Sequence, residues 1–506
     1  MLERIKGAKA VLAGESLKAR VFRGGVWLGA GSMSEQVIRF ARNMLLTRLL
    51  APEAFGTMAI VLSACSVVQT IMDVGVKEAL IQNPRGSEKE YADAAWWMAF
   101  GRAFSFCSVL WLLSPWIARF YGNVELGPLF RVAGLGVLLD GAISSRAYVA
   151  IREMKFRKWA IINHGGAILG VITTVVLSLM LRNVWALVLG YCSESGGRLI
   201  LSYVVCPHLP PRKLPIAAIR DLLKFSKRAF GLSLLNLIFA RTDIFVLAKM
   251  FQPAELGLYT MAIYLVQTPT SFIMNLLGQT LLPTFSQVQT EVERTNRILM
   301  QVTSVLVLLG LPAVVFISFC GHPLLSLVYG HRYSAAAASL AVASLVALLN
   351  LANGQLTTVF FARGMPNLHR TCVVIMAITM MVLIYPAVKT FGLVGGQLAA
   401  LAAIAAGLLF QIVRVHRLTR MSLGEYSRIF VVGALVSLVV ALAGFGARSW
   451  SAAARPIPNV LIGMLGCLIA YGLAAAYFFR GEGKKKDAAP SVPAAPAMLT
   501  NEVASD

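Results

Sequence analysis

The chain has 506 residues, 58% of them hydrophobic and 14% charged, with a mean hydropathy of +0.72. A soluble domain carries nearer about 25% charged residues, so a soluble enzyme is excluded. The net charge of +23, from 46 Lys and Arg against 23 Asp and Glu, would point to nucleic acid in a soluble protein, but no aromatic-interleaved basic surface is left over for that role, and no nucleic-acid partner is expected.

An apolar run of about 20 residues spans a bilayer. Fourteen candidates follow one another near residues 24–48, 57–81, 95–119, 127–150, 159–181, 184–206, 227–250, 257–283, 298–320, 334–362, 371–389, 393–415, 428–447 and 457–479. Before them, residues 1–23 have too short an apolar stretch for a cleaved signal peptide and read as a cytoplasmic amphipathic arm. Span one carries Glu35, Arg39 and Arg42 at i, i+4, i+7, on one helical face with Gln36 and Asn43 beside it. Span two carries Asp73 and Lys77, span three Arg102, span four Asp140, and span six Glu194 and Arg198. Span five holds His164, read as a packing histidine, and the GxxxG of GGAILG at 165–170, read as close helix packing within one lobe.

After span six, CPHLPPRKLPIAAIRDLLKFSKR breaks with four prolines and resumes as a short basic amphipathic helix suited to the inner membrane surface. This is the expected boundary between two lobes. A shift of 201 residues lays Arg48–Ile60 on Lys249–Met261, matching Arg48 with Lys249, Pro52 with Pro253 and Gly56 with Gly257. Both segments are the outer turn of a six-span unit, where a label at either glycine is expected to react from outside. The domains expected are the arm 1–23, an N-lobe 24–206, a linker 207–226, a C-lobe 227–415, an accessory pair 428–479 and a tail 480–506. That tail, rich in Ala, Pro and Lys, has too few large apolar residues to bury a core and is expected to be disordered.

With the amino terminus placed in the cytoplasm, 31 of the 46 Lys and Arg fall in or beside inside segments and 9 beside outside ones, the positive-inside bias. Basic residues such as Arg152, Lys155, Arg157 and Lys158 then meet anionic headgroups, making membrane lipids expected partners. Trp27, Trp96, Trp97, Trp116, Trp159 and Trp185 fall near proposed span ends, as interfacial indoles do, whereas Trp111 does not. The seven cysteines stand at least 14 residues apart, so no CxxC pair exists, and they read as small apolar residues. GxxxxGK[ST], GxSxG and HExxH are absent, and the outer loops are short with no acidic cluster. An ATP-driven pump and a membrane glycan polymerase or ligase are therefore disfavoured.

Charges at membrane depth are costly and face a cavity or one another. Glu35 with Arg39, Asp73 with Lys77 and Glu194 with Arg198 are i, i+4 pairs that would partly neutralise themselves. The span-two and span-six pairs stand equally as structural. Arg42 has no acid partner on its own helix, since Glu35 stands i, i+4 to Arg39, and Arg241 and Asp243, two apart, project to different sides of span seven. The reading is a polar cavity between the lobes, lined by Arg39, Arg42 and Arg241, with Asp73, Asn275 and Gln279 from spans two and eight. Arginine's planar fork suits phosphate, so the cavity points to an anionic, phosphate-bearing substrate. Glu35, Asp73, Lys77 and Asp243 are the candidate coupling or gating groups.

The segments LLTRLLAPEAFGTMAIVLSACSVVQTIMDVGVKEALIQ and RTDIFVLAKMFQPAELGLYTMAIYLVQTPTSFIMNLLGQTLLPTFSQ, with the Trp96–Trp97 pair after an acidic inner loop, resemble the polysaccharide transporter branch of the multidrug/oligosaccharidyl-lipid/polysaccharide exporter superfamily, the flippases of O-antigen and exopolysaccharide synthesis. The likeness covers residues 20 to about 415. It implies an all-α polytopic membrane protein of about fourteen transmembrane helices, with two six-helix lobes in a V plus two accessory C-terminal helices. It further implies alternating access that moves an undecaprenyl-diphosphate-linked oligosaccharide from the cytoplasmic to the outer leaflet of a bacterial inner membrane, both termini being cytoplasmic. On that likeness Arg39, Arg42 and Arg241 would meet the diphosphate or acidic sugars, and Asp73 and Asp243 would govern coupling or closure. No cofactor is expected beyond H+ or Na+ as a coupling ion, and a polysaccharide polymerase is a candidate partner. A cation-coupled multidrug exporter of the same superfamily is the nearest alternative, and acids rather than arginines would line its cavity.

Overall fold

The structure, a computed structural model, describes residues 17–72, 75–208, 214–226, 230–450, 461–462 and 464–473. Asp73, most of the arm, the side chain of Trp27 and the tail lie outside the described residues. The N-lobe comprises α1 (Leu17–Leu49), α2 (Pro52–Met72), α3 (Val76–Gln82), α4 (Lys89–Tyr121), α5 (Leu126–Gly141), α6 (Arg146–Arg152), α7 (Phe156–Leu181) and α8 (Trp185–Val205). The linker helix α9 (Ile216–Ser226) leads to α10 (Phe230–Met250), α11 (Pro253–Gln287), α12 (Val292–Val328), a 3-10 turn (His331–Ala336), α13 (Ala337–Ala362), α14 (Pro366–Phe391) and α15 (Leu393–Thr419), which form the C-lobe. Then α16 (Leu423–Trp450) and α17 (Met464–Leu473) follow, and both pack on the outer side of α12 through Val440, Cys467 and Ala470 against Val315 and Phe316.

The chain is an all-α multi-pass membrane protein. Among the described residues, helix is found within each of the fourteen expected segments. Among the described residues eight helices are both long and apolar enough to cross a membrane, nine if the bent α5–α6 pair is one span. The long helices that miss that criterion are α1, α8, α10 and α11, and their polar side chains are the reason.

Two expected spans are broken. Gly75, with φ +58, separates α2 from α3. Lys77 therefore does not continue the helix that ends at Met72, and its expected pairing with Asp73 falls outside the described residues. Lys77 instead lies 5.1 Å above the Trp159 ring. Between α5 and α6 the axis turns by 55°, and a break inside a bilayer must have its backbone groups satisfied within the protein. The indole of Trp96 donates to Ala142 O at 3.3 Å, Tyr203 Oη donates to the same carbonyl at 3.0 Å, and Ser202 Oγ accepts from Ser144 N at 3.0 Å. Trp96 is accordingly buried at 8% exposure and is not the interfacial indole the sequence pattern suggested. Arg152 of α6 donates to the carbonyls of Ile81 at 3.0 Å, Pro84 at 2.8 Å and Asn83. It thereby caps α3, whose last carbonyls have no helical partner.

The lobes meet at one end. Pro52 and Pro253 each occupy the first turn of a helix, where a missing N–H costs nothing. One turn later α2 and α11 cross at Gly56 and Gly257. A Cβ on Gly56 would stand 1.8 Å from Pro253 O and one on Gly257 1.8 Å from Pro52 O, so only glycine permits this approach. Around it Phe55 packs edge-on to Tyr333 with centroids 6.3 Å apart, and one apolar cluster joins Leu46, Leu50 and Phe55 to Leu256, Tyr259 and Tyr329. Arg48 of α1 donates to Leu327 O at the end of α12 at 3.3 Å. Lys249 of α10 donates to Phe120 O at the end of α4 and lies over the Phe120 ring at 4.5 Å. Each lobe thus supplies a cation to terminal carbonyls of the other, as expected at helix C-termini.

At the opposite end each packed cluster belongs to one lobe. Leu80, Tyr91 and Leu222 pack within the N-lobe side, and Leu281, Phe285, Leu356 and Phe360 pack within the C-lobe. The linker helix α9 sits on α3 and α4, with Tyr91 Oη donating to Asp221 Oδ2 at 2.9 Å. The two lobes therefore splay from the Gly56–Gly257 crossing as a V.

Candidate functional site

The polar helices bring their charges into two interiors, one per lobe. In the N-lobe, Arg39 donates through Nε to Glu35 Oε1 at 2.9 Å and through Nη2 to Glu194 Oε1 at 2.5 Å. Glu194 also accepts from Arg198, one turn along α8. Arg198 reaches Asp140 Oδ1 at 3.3 Å, and Ser195 Oγ donates to Asp140 Oδ2 at 3.0 Å. His164 Nδ1 lies 3.2 Å from Glu35 Oε2. Three carboxylates and two guanidiniums thus tie α1, α5, α7 and α8 together at membrane depth.

Close helix approach makes the network possible. A Cβ on Gly166 would stand 2.4 Å from Arg198 Cγ, and one on Gly170 would stand 2.5 Å from Glu194 Cβ. The GxxxG motif therefore packs α7 on α8 inside the lobe, and small residues are what membrane helix interfaces use for this.

The three charges of span one consequently differ. Arg39 and Glu35 are committed to this network. Arg42, half-buried one turn further on, donates only to Asn43 Oδ1 at 3.2 Å, and among the described residues no carboxylate lies within ion-pairing distance of it. The charged and polar groups acting on it are Arg39, Glu194 and Tyr264 of the opposite lobe.

In the C-lobe, Asp243 occupies the position that the 201-residue shift equates with Arg42, but it points into its own lobe and not into a cavity between lobes. Its Oδ2 accepts from Tyr259 Oη at 2.8 Å, and Tyr259 Oη accepts from Gln397 Nε2 at 2.8 Å. A cavity of about 200 Å³ opens beside it, lined among others by Gln267, Thr270, Asn350 and Gln397 and built entirely from C-lobe helices. Arg241, two residues away, is half-buried, with no carboxylate within ion-pairing distance among the described residues.

Asn275 and Gln279 are uncovered by protein, and so are Gln267 and Ser271 before them. Four polar residues at successive i, i+4 steps form a band that winds slowly along α11, whose backbone hydrogen bonding is interrupted at Pro269 and again at Pro283, which leaves the Gln279 carbonyl without its helical donor. The sequence reading named half of the band; the same i, i+4 spacing, extended backwards, would have found Gln267 and Ser271. Lys77 stands apart from the arginines, at the Trp159 ring beyond the end of α2.

Two bundles joined at one end, each with ionisable groups held at membrane depth, define a multi-pass transporter of the alternating-access kind. The chain belongs to the polysaccharide biosynthesis protein family, whose pattern matches residues 45–338. It is similar to the lipopolysaccharide biosynthesis protein WzxC of Escherichia coli (strain K12), 22% identical over 408 residues, covering 79% of this chain and 80% of that protein. It is also similar to the succinoglycan biosynthesis transport protein ExoT of Rhizobium meliloti (strain 1021), 24% identical over 297 residues, with 59% and 60% covered. Its fold is that of the lipid II flippase MurJ in an inward closed conformation, with a TM-score of 0.73, 13% identity, and 89% of this chain and 98% of that one covered. An inward-facing multidrug resistance MATE family transporter of the MOP superfamily superposes with a TM-score of 0.58 at 15% identity, covering 77% and 96%.

Proposed function

We propose that this chain is an inner-membrane flippase that carries an undecaprenyl-diphosphate-linked oligosaccharide from the cytoplasmic to the outer leaflet for surface polysaccharide synthesis. It is a transporter and not an enzyme. The observation that carries the reading is Arg42, a guanidinium at membrane depth without a carboxylate, in a fold whose relatives bear lipopolysaccharide and succinoglycan names. A fixed cation of this kind suits a diphosphate. The uncovered band Gln267, Ser271, Asn275 and Gln279 would be costly against lipid, and we assign it to the wet cleft between the lobes, where it meets sugar hydroxyls. Arg241 adds a second cation on the C-lobe side, and Arg39 supports Arg42 from within the N-lobe network.

The charge bias along the sequence supports both termini in the cytoplasm, which makes the Gly56–Gly257 end the outer one and the structure inward-facing. Asp243, with Tyr259 and Gln397 beside a small polar cavity, is the coupling group, taking H+ or Na+. Glu35, Asp73 and Lys77 act in gating, and a polysaccharide polymerase receives the product. The test is deletion of the gene followed by joint extraction of lipids and surface glycan. Loss of a surface polysaccharide with inward-facing diphospholipid oligosaccharide accumulating is the expected result. Unchanged glycan with altered sensitivity to cationic drugs would identify a multidrug exporter instead.

A further inference from the structure

Away from both lobe interiors, a cavity of about 360 Å³ opens at the splayed end of the N-lobe. Its walls carry Lys89 at the start of α4, Arg146 at the start of α6, and Lys155 and Lys158 at the start of α7, with Ser87 and Glu153 among them. Glu153 is paired with Lys155 at 2.6 Å. Lys89, Arg146 and Lys158 have no carboxylate within ion-pairing distance among the described residues, and all three are exposed.

This placement is electrostatically unfavourable as it stands. The N-terminus of a helix already carries partial positive charge, and Lys89 and Lys158 add cations to the first turns of α4 and α7. The walls leave an excess of three positive charges around a concave space. The field extends to the buried His208 behind it. Burial holds that imidazole below the ordinary histidine range, Asp93 at 3.2 Å opposes the shift, and Arg146 and Lys89 reinforce it. A concave cluster of unpaired cations beside Ser87 has the donor set of an anion site, with the fork of Arg146 suited to phosphate oxygens.

We propose that this cleft binds a phosphate group at the cytoplasmic face of the N-lobe. The chemistry is shared by the headgroup of an anionic phospholipid and by a soluble phosphate or diphosphate. Basic pockets between membrane helices at this depth take anionic headgroups, and the cleft lies at the same end as the other basic loops. The site is separate from Arg42, so it does not depend on which substrate crosses the cleft between the lobes.

The test uses the full-length protein in detergent and in phosphatidylcholine vesicles with and without phosphatidylglycerol. Native mass spectrometry counts retained phosphatidylglycerol, and a competition series adds inorganic diphosphate. The variant Lys89→Gln/Arg146→Gln/Lys158→Gln alters only exposed side chains, and the charge-keeping Lys89→Arg/Arg146→Lys/Lys158→Arg variant controls for general damage. Retention by the parent and by the charge-keeping variant, with about a hundredfold weaker retention in the glutamine variant, is expected. If phosphatidylglycerol resists diphosphate, the source is the lipid headgroup. If diphosphate binds and displaces it, the source is soluble, and the phosphate site stands. Equal retention by all three proteins, or no anion bound by the parent, overturns the proposal.

Discussion

Arg42 and Arg39 are one turn apart on the same helix and do different work. Replacing Arg42 by Ala removes a charge-assisted donor but breaks no carboxylate pair, so the protein folds while transport falls about tenfold to a hundredfold, the worth of one such bond; a vesicle assay of lipid-linked oligosaccharide translocation beside a thermal melt separates the two effects. Replacing Glu194 by Ala does the reverse, leaving Arg39 and Arg198 facing each other around an empty centre. Its cost falls on stability, about 3 kcal/mol, read as a lowered melting temperature in detergent. The i, i+4, i+7 spacing made the charged face of span one legible, and both local pairs, Glu35–Arg39 and Glu194–Arg198, form as their spacing suggests. That the two pairs join across 155 residues of sequence was not legible, because no local pattern reports which helices become neighbours. A third residue gives a pH signature outside the membrane core. His208 is held neutral by burial, so the unfolded chain binds a proton that the folded one does not. Stability is complete above the ordinary histidine value of about 6.5 and is lost as pH falls below it. His208→Asn should flatten that acid limb of the melting temperature between roughly pH 7 and 5.

Among the elements, the helix pair α2 and α11 carries the join between lobes, and its tolerance is narrow. Gly56→Val places methyl groups where Pro253 O already stands 1.8 Å from an ideal Cβ, and all three nearest atoms, Pro253 O, Pro253 C and Gly257 N, are backbone, so the helices must separate. The expected outcome is a protein that inserts but no longer closes at this end, seen as protease or label access to Tyr333 and lost transport; unchanged closure would mean that the crossing is not the contact that holds the lobes. The same geometry revises the labelling expected from sequence, since neither glycine is free to react from outside. The repeat was legible because Pro52 and Pro253, Gly56 and Gly257, Arg48 and Lys249 answer to the same geometric demands in each lobe. The breaks at Gly75 and at Ala142–Ser145 were not, for hydropathy runs on through them. At the second of these the unpaired backbone groups are satisfied by Trp96, Tyr203 and Ser202, which lie far away in sequence.

For the whole molecule, alternating access requires that the closed end open without the lobes unfolding, and the contacts there are divided suitably for that. The glycine crossing is backbone against backbone, but Arg48 on Leu327 O and Lys249 on Phe120 O are single side chains capping helix ends in the opposite lobe. They are equivalent under the 201-residue repeat and act as paired latches about the same axis. Removing both by Arg48→Ala/Lys249→Ala leaves the terminal carbonyls of α4 and α12 to water, a modest cost for exposed helix ends, and leaves each lobe's own core intact. The balance between inward and outward states should then move outward. A cysteine at Asn275, on the uncovered band of α11, reports the change: in the parent it should react with an impermeant thiol reagent in inside-out vesicles and resist it in right-side-out ones. In the double variant the right-side-out reaction should accelerate about tenfold, which corresponds to a shift of roughly 1.4 kcal/mol in the equilibrium. Val124→Cys and Lys155→Cys, both exposed and at opposite ends, fix the two sides in the same preparations. Reaction at Asn275→Cys that stays confined to the Lys155 side in the double variant would show that the latches do not set the balance, leaving the Gly56–Gly257 crossing as the gate.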